Sequence, residues 1–179
     1  MAREQKGHKW FAAIYDRLTA PAERSYMRTI REEIVGGAKG RVLELGAGTG
    51  ASFPYYNDHA EQVIATEPDP YMLERARRRA EEVERPIEVR QASAEELPFD
   101  DASFDTVVST LVMCSVSDPL RALSEVRRAL VSGGRLALAV PCHGRLKNLV
   151  HALRGFERRH DPRHRRRAHW RDDQRLRRE

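Results

Sequence analysis

Cysteine is scarce: Cys114 and Cys142 are the only two in 179 residues. Two thiols cannot build a disulfide framework or a four-ligand zinc site, and a reducing compartment suits both. The seven histidines and the pair Asp172 and Asp173 never fall at a metal-ligand spacing, so no metal is expected. Long apolar runs are missing too. The longest, Thr106 to Val116, is interrupted by Ser109, Thr110 and Ser115 and falls short of the ~20 residues a bilayer span requires. The first residues, MAREQKGHKW, are polar, and the stretch after Phe11 is broken by Asp16 and Arg17, which excludes a signal-peptide apolar segment. The expectation is a cytoplasmic chain without a membrane span, long enough for one α/β domain with its own core.

Charge is unevenly spread. Residues 1–140 carry 19 Lys/Arg against 22 Asp/Glu, whereas residues 141–179 carry 13 against 5, so a body of net −3 precedes an end of net +8. That division differs from a uniformly basic nucleic-acid binder. The basic end can attract phosphate without specificity, but it holds no nucleic-acid reading motif and only Phe156 and Trp170 as aromatics. No specific nucleic acid is expected as a partner, and a nucleic-acid-binding protein acting through this tail is the alternative reading.

Periodicity organises the remainder. Phe11, Ile14, Tyr15 and Leu18, then Tyr26, Met27, Ile30 and Ile34, recur at helical spacing with Pro21 at the break. Gly36, Gly37 and Gly40 are suited to end the second helix in a left-handed conformation. Strands are expected at Arg41–Leu45, Gln62–Thr66, Ile87–Gln91, Phe104 to about Met113, and Arg135–Val140. Asp69-Pro70 and Asp118-Pro119 read as helix starts. Met72, Leu73, Ala76, Ala80 and Val83 face inward in the first of these helices, and Leu120, Leu123, Val126 and Leu130 in the second. Ser132-Gly133-Gly134 is read as the turn into the fifth strand. Strands alternating with helices imply a Rossmann-like, doubly wound, mainly parallel sheet. The chain is expected to divide into one domain over 1–140, with a helical cap over 1–37 and a core over 38–140, and a basic tail over 141–179 expected to be largely disordered.

In such sheets ligands bind beyond the carboxyl ends of the strands, where strand order reverses. Gly46, Gly48 and Gly50, with Ala47 and Thr49 between them, follow the first strand, and glycines there let a ligand approach the backbone. Alone, this loop is ambiguous, since it also satisfies the looser dinucleotide fingerprint and a glycine loop can be a mere tight turn. Glu67 closes the second strand, where a carboxylate can accept both hydroxyls of a ribose and would reject a 2′-phosphate. A nicotinamide dinucleotide and an adenosyl cofactor both present such a diol, and a simple helix-capping role for Glu67 also stays open. Cys114, without a neighbouring histidine, is expected to be a buried thiol.

Taken together, VLELGAGTG, ATEPDP, AEELPF, FDTVVSTLVMCSV and VRRALVSGGRL resemble class I S-adenosylmethionine-dependent methyltransferases of the UbiE-like group, with TLVMCSV most similar to the thiol-methyltransferase-like branch. The resemblance spans roughly residues 10–138. It implies S-adenosyl-L-methionine as cofactor and methyl transfer to a small-molecule acceptor such as a thiol or a lipophilic compound. It also implies that Glu44 and Gly46 to Gly50 hold the methionine portion, Glu67 the ribose with Pro68 alongside, and that Ser93 and Ala94 flank the adenine. Thr110, Leu111 and Val112 would line the cavity near the sulfonium, with Tyr15 closing over it. No catalytic side chain is assigned. An in-line displacement depends chiefly on positioning, and an acceptor such as a thiolate needs little acid–base help.

Two departures accompany the resemblance. Ser93 stands where the family usually has an aspartate and supplies a neutral acceptor. After the fifth strand, VPCHG and an arginine-rich segment stand where the family continues into further strands, so the C-terminal antiparallel hairpin is expected to be missing. The expected consequence is an exposed sheet edge and impaired turnover, from a tail that is native, truncated or frame-shifted.

Overall fold

A computed structural model of the chain describes residues 27–139. Expectations for residues 1–26, Tyr15 among them, and for residues 140–179 lie outside the described residues.

Five strands form one parallel sheet: β1 (Gly40–Leu45), β2 (Ala60–Thr66), β3 (Ile87–Arg90), β4 (Phe104–Thr110) and β5 (Leu130–Ala139). Their spatial order is β3-β2-β1-β4-β5, which reverses direction between β1 and β4. Register follows Val42 opposite Val63 on one side and Thr106 on the other. The central strands read as apolar runs because both faces are covered. Leu43, Leu45 and Val107 enter one cluster with Leu123, Val126 and Ala129 of helix α3 (Pro119–Ala129). Val42, Val63 and Val108 enter the other with Phe53, Tyr56, and Ala76 of helix α2 (Pro70–Glu81). Helix α1 (Arg28–Ile34) lies on that second side, with Ile34 and Val35 packed into the cluster.

Both Asp-Pro starts behave as capped helices. The Asp69 carboxylate accepts from the Tyr71 and Met72 amides at 2.7 and 3.1 Å, and Asp118 accepts from the Leu120 and Arg121 amides at 3.1 and 3.0 Å. Such caps contribute ~1 kcal/mol each.

Several expectations are corrected. β4 stops at Thr110 because Leu111 takes a left-handed conformation, φ 62°, while its amide donates to the Ala139 carbonyl at 2.9 Å. Leu111 to Met113 therefore leave the sheet, and Cys114 is exposed in the following loop rather than buried. Its thiol donates to the Leu111 carbonyl at 3.2 Å. β5 begins at Leu130, and the glycine turn is a bulge inside it: Val131 to Gly134 stand opposite the single Asp105. β3 ends at Arg90, one residue early. Leu120 is 67% exposed and does not face inward. Gly36 and Gly37 are not left-handed; a Cβ on Gly36 would lie 2.4 Å from the Glu32 carbonyl oxygen, so close approach is what requires glycine there. Gly40 is the left-handed member of the three, at φ 67°.

Candidate functional site

The loops after β1 and β4 diverge at the point of strand reversal, and the crevice between them is where this architecture places ligands. The three glycines of the first loop differ in function. All have positive φ, 58° to 79°. A Cβ on Gly46 would lie 2.6 Å from a Val112 methyl, and one on Gly50 2.6 Å from the Phe53 ring. A Cβ on Gly48 would meet nothing within 4 Å. Gly46 and Gly50 thus admit neighbouring side chains, whereas Gly48 faces open space.

Glu67, 7% exposed at the end of β2, is tied to that loop. Its carboxylate accepts from the Gly48 amide at 2.8 Å and from the Asp69 amide at 2.9 Å. Burial pushes this carboxyl above its ordinary value, the two amides oppose that, and the nearby Asp69 charge adds to it. Each oxygen has one amide partner, which leaves acceptor capacity toward the crevice. Pro68 follows directly, and its carbonyl accepts from Gln91 at 3.1 Å.

Glu44, 1% exposed near the end of β1, points to the α1 side. The Tyr56 hydroxyl donates to it at 2.9 Å. Burial raises its carboxyl, while hydrogen bonds from Ser52 and Tyr56 and the Arg31 charge pull the other way. Burial, with the Glu44 carboxylate beside it, raises the Tyr56 phenol well above its ordinary value and keeps it a donor. Arg31, 6% exposed on α1, completes the group: its Nη1 donates to Ser52 Oγ at 2.5 Å and to Thr110 Oγ1 at 3.1 Å. Sequence periodicity selected Ile30 and Ile34 for this helix and passed over Arg31, which occupies the buried stripe. No local signal marks it, because its partners are distant in sequence.

Thr110 and Val112 thus meet Arg31 and Gly46 respectively, and Thr49 is 2% exposed with Arg79 Nη1 3.5 Å from its hydroxyl. Ser93 and Ala94 lie in the loop after β3. Ala94 is buried in the α3-side cluster, and the Ser93 hydroxyl donates to the Glu95 carboxylate. Glu95, unnoticed in the sequence, also accepts from the Ser117 amide at 2.9 Å and so joins this loop to the start of α3. Partial burial would raise its carboxyl, but Ser93 and the amides of Glu95, Asp118 and Ser117 outweigh that and hold it below its ordinary value.

A surface depression of about 460 Å³ lined by Lys39, Glu61, Asp105 and Arg135 opens at the amino ends of the strands, the opposite edge from the glycine loop. Among the described residues no cluster of side chains could hold a metal ion, and no helix is long and apolar enough to cross a membrane.

The chain is similar to known proteins in sequence and in fold. The chain is 39% identical over 128 residues to a phosphatidylethanolamine N-methyltransferase of Cereibacter sphaeroides, covering 70% of this chain and 62% of that one. It is also 39% identical over 121 residues to a human thiol S-methyltransferase, covering 63% and 48%. A solved SAM-dependent methyltransferase of Thermotoga maritima superposes with a TM-score of 0.58 at 33% identity, covering 72% and 57%. The chain therefore spans roughly half to three fifths of these proteins' lengths. A family model described as "Methyltransferase domain" matches residues 43–138, from β1 to the end of β5. By that match the chain belongs to the methyltransferase domain family.

Proposed function

We propose that the chain binds S-adenosyl-L-methionine at the β1/β4 crevice and transfers its methyl group to a small-molecule acceptor. The observation that carries this reading is the pairing of Glu67 with the amide of Gly48, 2.8 Å apart, Gly48 being the glycine of the loop after β1 that opens onto free space. That pairing sets a buried carboxylate where a ribose diol would lie against the loop. Two buried carboxylates, Glu44 and Glu67, flank the loop. They suit a ligand carrying cationic groups and oppose a dinucleotide's diphosphate.

The cofactor supplies an activated methyl on a positively charged sulfur. The chain's own contribution is position. Glu67 would fix the ribose, Glu44 the methionyl ammonium, and Ser93 and Ala94 the adenine edge. Val112, seated on Gly46, and Thr110 would form the wall along which the acceptor approaches. No general base is required for an acceptor of low proton affinity. A thiol or a lipophilic compound is the proposed acceptor, and the human relative, a thiol S-methyltransferase, supports the first. The alternative reading through the basic residues rests on 141–179, outside the described residues, and no comparison supports it.

Calorimetry of the full chain with S-adenosylmethionine and S-adenosylhomocysteine tests the reading, with binding of both expected. Failure of both to bind at millimolar concentration refutes it. Transfer of labelled methyl to a panel of simple thiols then tests the acceptor class.

A further inference from the structure

The loop after β3 leaves the sheet beside Glu67, whose amide donates to the Arg90 carbonyl at 3.1 Å. It crosses to the α3 face, where Ala94 and Leu97 join Leu45 and Ile64. Within it the Ser93 hydroxyl donates to Glu95 Oε2, and Ser93 Oγ accepts from the Glu95 amide at 3.2 Å. Glu95 Oε1 is engaged elsewhere, by the Ser117 amide at 2.9 Å and the Asp118 amide at 3.4 Å at the start of α3. A hydroxyl has one proton and two lone pairs, and an ionised carboxylate can only accept. The proton of Ser93 is therefore committed to Glu95 and one lone pair to the Glu95 amide. What Ser93 still offers is a single lone pair.

We propose that Glu95 is a positioning residue which, by holding the Ser93 proton, makes this wall accept a purine bearing an amino group and reject one bearing a carbonyl oxygen. The proposal rests on the cofactor reading above, in which Ser93 and Ala94 meet the base. It adds a residue that acts on the base only through Ser93. A carbonyl on the ligand would set one acceptor against another and leave both unmatched. Glu95→Gln should undo the selection at nearly constant shape. The glutamine carbonyl is then the acceptor for the Ser117 amide, so its NH2 faces Ser93. Ser93 accepts from that NH2 and turns its own proton toward the ligand.

The test is calorimetry of the full chain with three ligands. They are S-adenosylhomocysteine, S-inosylhomocysteine, in which a carbonyl replaces the amino group, and the purine analogue with only hydrogen at that position. Wild type is expected to prefer the first to the second by ~10-fold or more, the scale of a matched bond set against an unmatched acceptor. Glu95→Gln should shrink that ratio by at least ~5-fold, while affinity for the hydrogen-bearing analogue changes by less than ~3-fold. Glu95→Ala frees the same proton and gives the readout should the glutamine variant fail to fold. Adding Ser93→Asp to Glu95→Gln supplies an acceptor that needs no positioning, and should restore the preference. A purely structural tie between the loop and α3 would weaken all three ligands alike and keep the ratio. An unchanged ratio in the Glu95 variants, no restoration by Ser93→Asp, or equal wild-type affinity for the first two ligands overturns the role of Glu95 and leaves the cofactor reading standing. If none of the three binds wild type, the cofactor reading fails and this assignment with it.

Discussion

Replacing Glu67 by glutamine changes one oxygen to an NH2 and leaves the shape almost untouched. The native carboxylate accepts two backbone amides, from Gly48 and Asp69. A glutamine side chain can accept only through its carbonyl oxygen, so one of those two amides must face an NH2 in a 7% exposed position. Leaving a buried donor unmatched costs ~1–3 kcal/mol. Burial raises the Glu67 carboxyl, so removing the charge relieves part of that loss. The net expectation near neutral pH is a destabilisation of ~1 kcal/mol, a measurable fraction of a total of ~5–15 kcal/mol. Ligand affinity should fall further, because the ribose would lose a charged acceptor and meet a loop without its anchor. A weakening of S-adenosylhomocysteine binding by ~1.5–3 kcal/mol is expected, the range for hydrogen bonds to charged groups. Urea unfolding without ligand reports the first number and calorimetry the second. If Glu67→Gln matches wild type in both, the carboxylate neither organises the loop nor meets the ligand, and the reasoning fails.

The glycines of the loop separate in the same assays. Gly46→Ala must displace Val112 and adopt a strained φ, so it should cost more than ~2 kcal/mol, whereas Gly48→Ala bears only the left-handed strain of ~1–2 kcal/mol and should chiefly impair ligand binding. Equal stability losses would refute the distinction. Among the described residues the buried Ser109 hydroxyl has no partner, so Ser109→Ala should raise the melting temperature or leave it unchanged, and a loss above ~1 kcal/mol would mean that the hydroxyl is bonded after all. Glu44 has a raised native carboxyl, so its native state binds the proton more tightly than the unfolded chain does. The stability it contributes is complete below the unfolded value near 4.5 and is lost as pH rises through the native value. Denaturation at about pH 4 and about pH 7 should therefore show Glu44→Gln gaining on wild type at the higher pH; a gap that stays constant refutes the burial effect.

How far these features could be read from sequence depends on how local their causes are. RVLEL and the Asp-Pro pairs are self-contained signals: apolar residues for both sheet faces in the first, a carboxylate within reach of its own helix amides in the second. The end of β4 is not. Leu111-Val112-Met113 continues an apolar, β-prone run, and only the left-handed turn at Leu111, a residue type that rarely adopts it, stops the strand. Arg31 escaped for a related reason. Its burial is set by Ser52 and Thr110, 21 and 79 residues away, and helical periodicity registers only the apolar members of a buried stripe. Glu95 likewise reads as solvated until the Ser117 amide is brought to it by the fold. Glu67 was legible as a candidate because it follows the second strand, whereas Glu44 came only with the family resemblance, and the amide bonds that hold Glu67 were not legible.

The segment from Gln91 to Ser103 has almost no regular structure, yet it is fastened along its length to one helix. Arg128 of α3 donates to the Leu97 carbonyl at 3.0 Å, the Phe99 carbonyl at 2.6 Å and the Asp101 carboxylate at 3.0 Å, while Glu125 accepts from the Leu97 amide at 2.9 Å. Glu95 adds its bond to the residue before Asp118. A stretch that lacks a hydrogen-bond ladder of its own is thus slaved to the helix beside it and shares its opening free energy. In mechanical terms the loop after β3 is a rigid extension of α3, so its amides should exchange with those of the helix and not as an independent loop.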